Sequence, residues 1–372
     1  MKQNQQNRRF IISGGGTGGH IFPAISIARA LMKLEPKSEI LFVGAEDRME
    51  MEKVPAAGFQ IIGLPVSGFI RKLSLRNIKV LINLAKSLRK AKKIIKDFDP
   101  CVAIGTGGYA SGPILQVAGK KGIPTLIQEQ NSYPGITNKL LAKKASKICV
   151  AYQGMDKYFP EEKIIFTGNP IREDLEKNSN KTNDSQKYFN LQTGKKTLLI
   201  LGGSLGARTI NLAVMQKLGD LKNEDIQIIW QSGKKYYDSA IKEVEIIGPD
   251  NIRLFEFIAR MDLAYTAADL VISRAGAGTI SELCLCGKPS ILIPSPNVAE
   301  DHQTYNARNL VDKNAAELIK DSEAAGKLIP RALTLIRDDL ALSLLSQNIV
   351  KMAIKDSSGK IAEEVLKLVN DQ

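Results

Sequence analysis

A chain of 372 residues is too long for one ordinary hydrophobic core and long enough for two domains of about 150 to 200 residues. With 44% hydrophobic and 24% charged residues it falls outside the disordered and fibrous classes, and no apolar run approaches the ~20 residues of a membrane-spanning helix. The net charge of +13 sits in one half: residues 1–170 carry 26 Lys and Arg against 12 Asp and Glu, residues 171–372 carry 26 against 27, so an anionic partner is expected on one side only.

The polar start MKQNQQNRRF lacks the apolar core of a signal peptide, and a cytosolic chain is the expectation. In chain order, RRFIIS (8–13) reads as a strand, followed by the glycine-rich GGGTGGHIFP (14–23) and a helix over 21–34. EILFVG (39–44) is a second strand, and CVAIGT, TLIQEQ and KICVAY are later ones. Such alternation points to a parallel sheet wrapped by helices. Residues 69–98 concentrate charge: Ile78, Leu81, Ile82, Ala85, Leu88 and Ile95 approximate a helical apolar stripe amid Arg71, Lys72, Arg76, Lys79, Lys86, Arg89, Lys90, Lys92 and Lys93. The polar stretch around 173–195 is the best boundary, placing one domain over 1–170, a linker over 171–195 and a second domain from 196 to 356.

The second half repeats the plan of the first. KKTLLILGGSLGARTINLAVMQKL (195–218) again joins basic residues, an apolar strand, a glycine-rich turn and an amphipathic helix, and IQIIWQSG, IRLFEFI, LVIS and PSILIPSP supply further strands. The expected fold class is α/β with two Rossmann-like domains, whose ligands bind outside the carboxyl ends of the strands, in a cleft where the halves face each other. Cys101, Cys149, Cys284 and Cys286 lie in apolar contexts without the spacing of a zinc or redox site, and are expected to be inert buried thiols.

Gly14, Gly16 and Gly19 formally satisfy G-x-G-x-x-G, with Glu46 or Asp47 as candidate ribose acids. Those acids come late for the role, and nothing else in the chain suggests hydride transfer. GTGGYASGP (105–113), GGSLGA (202–207) and RAGAGTISE (274–282) occupy the same place between strand and helix. Any one of them is explained by a tight turn. Four at one topological position present helix N-terminal N–H groups to anions, and a substrate pair bearing several phosphates accounts for them together. In the last loop residues 276–279 lie at the helix start, near a diphosphate. Glu282 follows about one turn on, where a carboxylate accepts from both ribose hydroxyls; a carboxylate favoured there by the helix dipole is the alternative.

In order, GGGTGGHIFPA, GTGGYASGP, EQNSYPGITNK, TGNPIR, GGSLGA, RAGAGTISEL and EDHQTYNA resemble the MurG family, bacterial transferases that add N-acetylglucosamine (GlcNAc) from UDP-GlcNAc to muramoyl-pentapeptide diphosphoundecaprenol in cell-wall synthesis. The matches run from residue 9 to about 308. The resemblance implies the GT-B fold, an inverting hexosyltransferase, and a final helix over 357–369 that packs back on the N-terminal domain. It also implies a peripheral place on the cytoplasmic face of the inner membrane, near other cell-wall and division proteins. By position, it implies that Ile258 meets the uracil through its backbone and that Glu282 holds the ribose. Arg172 and Ser204 would lie near the diphosphate, with the backbone through Ala277, Gly278, Thr279, Ile280 and Ser281. Asn131 and Gln303 would address the sugar, and Thr17, Gly18 and Gly19 would close over it. The chain departs from the common pattern at Leu205, Ala275 and Thr304, the last leaving Gln303 as the sole amide for the sugar hydroxyls.

Inverting transfer requires an aligned acceptor hydroxyl, a proton acceptor and stabilisation of the departing diphosphate. Arg172 and the helix starts near Ser204 and Ala277 are expected to supply the last. No DxD-like motif is placed to hold a divalent ion, so neither a metal nor another cofactor is expected in the donor site. His20, one of only two histidines, is the expected base, since an imidazole titrates near neutral pH; orienting the loop or a phosphate is the alternative. Gly15, Gly16, Gly107, Gly108 and Tyr109 are expected on the acceptor side, and Arg71, Lys72, Arg76, Ile78, Leu81 and Ile82 toward an anionic membrane surface. Nucleic acid is the competing anion, but the patch lacks interleaved aromatics and aromatic residues are only 6% of the chain, so none is expected as partner. Within the fold, a UDP-sugar transferase acting on a lipid such as diacylglycerol is the other reading.

Overall fold

Phe10, Ile11 and Ile12 are consecutive apolar residues, the pattern of a strand covered on both faces, and all three are fully buried in a computed structural model of the chain. The structure describes residues 7–66, 76–171, 175, 183–203 and 206–371. Two units emerge: Met1–Ile171 with Asp356–Gln372, and Arg172–Lys355.

The first unit runs β1 (Arg9–Gly14), α1 (Gly18–Leu34), β2 (Glu39–Ala45), α2 (Glu50–Ala56), β3 (Gln60–Leu64), α3 (Arg76–Phe98), β4 (Val102–Gly107), α4 (Ser111–Lys120), β5 (Thr125–Glu129), α5 (Ile136–Ala142), β6 (Lys147–Val150) and β7 (Ile164–Phe166). Its seven strands form one parallel sheet in the order β3-β2-β1-β4-β5-β6-β7, with Phe10 paired to Ile40 on one side and Val102 on the other. Successive side chains alternate between faces. Phe10 and Ile12 therefore join the core beneath α1, whereas Ile11 joins the core that holds Ala91, Ile94 and Ile95 of α3.

The second unit runs α6 (Asn183–Phe189), β8 (Lys196–Leu201), α7 (Arg208–Met215), α8 (Leu218–Lys222), β9 (Ile226–Gln231), α9 (Tyr237–Ile247), β10 (Ile252–Phe255), α10 (Met261–Ala267), β11 (Leu270–Ser273), α11 (Ala277–Cys286), β12 (Ser290–Leu292), α12 (His302–Val311), β13 (Glu317–Leu318), α13 (Ala324–Ile336) and α14 (Asp339–Val350). Its parallel sheet has the order β10-β9-β8-β11-β12-β13, the same winding as the first. The polar stretch before β8 is built into this unit in part: α6 lies within it, and Leu175 and Phe189 are buried in the core with Leu199 and Ile229.

The last helix, α15 (Ser357–Asn370), follows the second unit in sequence yet packs on α1 of the first. Ile361, Ala362, Val365 and Leu368 recur at helical spacing and are buried with Ile21, Ala24, Ala28 and Leu31 of α1. Asp356 caps the helix by accepting from Gly359 N at 3.2 Å. At its far end Arg8 donates to Asn370 Oδ1 at 2.9 Å and pairs with Glu35 at 2.7 Å. Ile361→Ala is expected to cost about 2–5 kcal/mol; faster hydrogen exchange along α1 is the measurement, and undiminished protection there would contradict this packing.

Candidate active site

In each sheet the connections leave the two central strands in opposite directions, and this reversal opens a crevice at their carboxyl ends. In the first unit the central pair is β1 and β4. After β1 come Gly15, Gly16 and Thr17, then Gly18 and Gly19 at the start of α1; Gly107 ends β4, and Gly108 and Tyr109 follow it. The two loops touch through their backbones, Gly15 N donating to Gly107 O at 3.3 Å. Gly107 and Gly108 have φ of 101° and 85°, and a Cβ on Gly108 would stand 2.3 Å from Gly15 O, so neither position accepts a side chain without strain.

α1 starts three residues earlier than the periodicity suggests, within the glycine loop itself, which puts His20 in its first turn. Thr106 Oγ1 donates to His20 O at 2.9 Å, and His20 Nδ1 lies 2.9 Å from Gly15 O. A carbonyl oxygen only accepts, so Nδ1 carries the proton and Nε2 the lone pair in the neutral ring. Gly16 N is held by the buried Glu50, at 3.2 Å to Oε1 and 3.1 Å to Oε2. The amides of Gly15 and Gly16 are thus engaged inside the protein, which leaves those of Thr17, Gly18 and Gly19 as the donors at the helix start. Phe22 and Tyr109 are exposed beside these loops.

Asn131 follows β5, and its backbone and side-chain nitrogens both donate to Glu129 Oε1, at 3.0 and 3.2 Å. Glu129 Oε2 accepts from Gly135 N at 3.1 Å and Asn138 Nδ2 at 2.9 Å, so one buried carboxylate shapes the whole loop. Gln130 Nε2 donates to Thr106 O at 2.7 Å and Asn169 Nδ2 to Gln130 O at 3.0 Å. This network ties the ends of β4 and β5 to the strand exit at Asn169.

In the second unit the central pair is β8 and β11. α11 opens at Ala277, and its N-cap residue Gly276 has no side chain to bond the first turn, which holds Ala277, Gly278 and Thr279. Ile280 has its side chain in the core, and its N–H donates to Gly276 O at 2.9 Å. Ser281 Oγ donates to Ala277 O at 3.0 Å. Glu282 Oε2 accepts from the hydroxyl of the buried Tyr265 at 2.9 Å, which fixes the carboxylate relative to the helix start. Ile258 N donates to Gln231 Oε1 at 2.8 Å, so its carbonyl is the backbone group of that residue left for a base. Gln303 Oε1 accepts from Ser295 N at 2.8 Å, linking α12 to the exit of β12. Thr304 donates to Asp301 Oδ1 at 2.7 Å, and Glu300 and Asp301 enter α12 with left-handed φ of 55° and 50°.

Arg71, Lys72, Arg172 and Ser204 lie outside the described residues, and Arg76 and Ile78 fall in the first turn of α3. The single apolar stripe expected on α3 divides in two. Leu81 and Ile82 are 56% and 51% exposed, whereas Ile95 is in the core with Ala91 and Ile94. At 23 residues α3 is about 34 Å long, against about 20 Å for the six residues of β4, so the sheet covers only one end of the helix. The one D-x-D string, Asp97 to Asp99, ends α3 at the amino side of the sheet, where Asp99 pairs with Arg9 at 2.8 Å. Glu50, Tyr265 and Gln231 are site residues that sequence reasoning did not find. Glu129 did leave a signal, an acid closing the strand-like stretch TLIQE.

Beside Ile258, Asp262 is buried at the start of α10 and accepts from Arg260 Nε at 2.9 Å and Nη2 at 2.7 Å. Hydrogen bonding from Arg260 is the largest of the effects that hold its carboxyl below the usual range, against the opposing effect of burial. A carboxyl depressed in the folded state stabilises above its unfolded pKa of about 3.9 and loses that contribution as pH falls through the folded value. Asp262→Asn is therefore expected to lower stability by about 1 kcal/mol at neutral pH, with the gap to the parent shrinking as pH falls below about 4; urea midpoints at several pH values measure it.

The glycosyltransferase family 28 N-terminal domain matches residues 10–150, and the glycosyltransferase family 28 C-terminal domain matches residues 197–361. A UDP-N-acetylglucosamine--N-acetylmuramyl-(pentapeptide) pyrophosphoryl-undecaprenol N-acetylglucosamine transferase of Parabacteroides distasonis is 58% identical over 97% of this chain and 98% of its own length. Its namesake in Bacteroides thetaiotaomicron is 59% identical over 98% of both. The crystal structure of Acinetobacter baumannii MurG superposes with a TM-score of 0.74 at 28% identity, covering 97% of this chain and 99% of that one. With both Rossmann-like units and nearly the full length matched, the chain belongs to the MurG family of N-acetylglucosamine transferases, within glycosyltransferase family 28.

Proposed function

We propose that the chain transfers GlcNAc, with inversion, from UDP-GlcNAc to undecaprenyl-diphospho-N-acetylmuramoyl-pentapeptide, the step that converts lipid I to lipid II in peptidoglycan synthesis. The near full-length identity to transferases named for this reaction supports it. The observation that carries it in the molecule is the pair of helix starts at the two switch points whose N-cap residues make no side-chain cap bond, one followed by His20 and the other by a carboxylate fixed by Tyr265.

The acceptor oxygen attacks the anomeric carbon, the bond from that carbon to the diphosphate breaks, and the electron pair leaves with UDP. The hydroxyl proton passes to His20 Nε2, whose lone pair is set by the Nδ1 bond to Gly15 O. Glu282 receives the ribose hydroxyls, the Ile258 carbonyl the uracil, and the helix start at Ala277, Gly278 and Thr279 the leaving diphosphate, a group on which Arg172 and Ser204 also act in this proposal. Thr17, Gly18 and Gly19 offer their amides at the transferred sugar, where Asn131 and Gln303 also act. A helix start stabilises negative charge without reorganisation, the largest contribution expected for a departing diphosphate. The reading includes no obligatory metal in the donor site, because the one D-x-D string lies at the wrong end of its sheet.

The acceptor is lipid-linked, and the exposed Leu81 and Ile82 with Lys86, Arg89, Lys92 and Lys93 on α3 suit an anionic bilayer surface, each basic residue adding about 1 kcal/mol. Among the described residues no helix is long and apolar enough to cross a membrane. We place the enzyme as a peripheral protein on the cytoplasmic face of the inner membrane, in reach of other cell-wall and division proteins and so acting in cell shape and division.

The test supplies purified protein with labelled UDP-GlcNAc and lipid-linked muramoyl-pentapeptide diphosphate. Labelled lipid product is expected, unchanged within about twofold by a chelator; protein that binds UDP-GlcNAc yet labels no lipid would refute the acceptor. His20→Ala is expected to lower kcat by about 10²- to 10⁴-fold, and near-normal turnover at saturating substrates would remove it as base. Replacing Leu81 and Ile82 by Glu should reduce sedimentation with vesicles containing anionic lipid while leaving transfer to a detergent-solubilised acceptor intact; equal sedimentation would refute the membrane contact.

A further inference from the structure

One peptide group, joining Gly15 to Gly16, is engaged by a side chain at each end. Its carbonyl oxygen lies 2.9 Å from His20 Nδ1, and its N–H donates to both oxygens of Glu50, at 3.2 and 3.1 Å. We infer that Glu50, this peptide and His20 form a bridged carboxylate–histidine pair, in which Glu50 is a positioning residue that holds the imidazole as its Nδ1–H tautomer. The inference rests on the reading of His20 as the base.

Three observations carry it. First, Glu50 is fully buried and its Oε1 also accepts from Ala45 N at 2.9 Å, so the carboxylate is fixed by backbone donors from the ends of both β1 and β2. Buried, multiply bonded carboxylates of this kind have no freedom to follow a mobile loop. Second, hydrogen bonds in a chain polarise one another, by perhaps 10–30% per bond. A carboxylate on the N–H end of a peptide therefore makes the C=O end a better acceptor, and a better acceptor at Gly15 O favours a proton on Nδ1. Third, nearby glycines make room for the assembly. A Cβ would stand 2.0 Å from Glu50 Oε1 if placed on Gly15, 2.5 Å from Glu50 Cγ if placed on Gly44, and 3.0 Å from His20 Nε2 if placed on Gly107. Gly15 is thus required by the carboxylate behind the loop, whatever the loop binds in front.

The consequence is a division of labour resembling that of an acid beside a catalytic histidine, but with a main-chain amide between the two. Direct acid–histidine contact fixes ring and tautomer together; here the ring is fixed by the peptide, and the peptide by the acid. A carboxylate set back by one peptide plane stays out of the space where an anionic substrate has to approach the helix start.

Ring ¹⁵N shifts of the two histidines, measured on ¹⁵N-histidine protein at about pH 8, above the ordinary imidazole pKa of about 6.5, read the tautomer in the resting enzyme; His20→Asn assigns the signals. The parent is expected to show Nδ1–H at His20. Glu50→Gln, which offers one acceptor oxygen and one amide donor where two acceptors stood, is expected to shift His20 toward the other tautomer and to lower kcat by about 10- to 100-fold, with KM for UDP-GlcNAc within about twofold. An Nε2–H tautomer in the parent would overturn the proposal, as would a Glu50→Gln protein that keeps both the Nδ1–H signal and the parent kcat. Should Glu50→Gln not fold, Glu50→Asp, which withdraws the charge by one methylene, takes its place: the same shift in tautomer and loss of kcat are expected, and their joint absence would overturn the proposal. Because the tautomer is observed without turnover, a failure of His20 as base, seen in His20→Ala, is told apart from a failure of Glu50 to position it.

Discussion

The segment Gly14 to Gly19, from the end of β1 into the first turn of α1, has five glycines among six residues and almost no side chains with which to hold its own shape. Its conformational entropy would be the largest in the chain, so its geometry has to be imposed from behind. That is what the buried carboxylate of Glu50 and the backbone of the neighbouring loop at Gly107 accomplish. Everything asked of the first unit's crevice depends on this constraint: the start of α1, the direction of its open amides and the seat of His20. The same solution recurs beside it, where Glu129 holds the loop that carries Asn131. Two buried acids thus shape two loops, each by accepting main-chain N–H groups that would otherwise be orphaned.

The second unit meets the problem with different chemistry. Its carboxylate, Glu282, stands at the front of α11 rather than behind a loop, and a phenol rather than an amide orients it. Gln231 and Arg260 with Asp262 pin the turn through Ile258. Arg274 donates to Ile293 O and Pro294 O, at 3.1 and 3.3 Å, and pairs with Asp321, which also accepts from Thr209. Polar groups at the carboxyl ends of β8 to β12 are in this way tied to one another by the protein itself, the preorganisation that electrostatic catalysis requires.

Much of this architecture is legible from local pattern because parallel strands covered on both faces are continuous apolar runs. The central strands β1, β2, β4, β8 and β11 follow that rule, while β5 and β9 keep shorter apolar runs, Leu126–Ile127 and Ile228–Trp230. β3, β7 and β13 do not announce themselves: they lie toward the sheet edges, are short and half-exposed, and β3 is interrupted by Gly63. The helical period on α3 is visible, but not which turns the sheet covers, since that depends on the length of neighbouring strands. At the site, the glycine loops and Glu282 are marked by type and spacing. Glu50 and Tyr265 are not, because their partners lie 34 and 17 residues away in sequence and no local spacing encodes a contact made by the fold.

The position of α15 has a consequence for the order of assembly. The core of the first unit includes Ile361, Val365 and Leu368, yet in sequence these residues come after every element of the second unit. During synthesis from the N-terminus, at about 5–20 residues per second, the half made first must wait about ten seconds or more for its closing helix, with the apolar face of α1 uncovered. The half made second can finish before it. The domain that begins the chain is the last to be completed, and for that interval its exposed helix is a place where a chaperone, or a neighbouring nascent chain, can intervene.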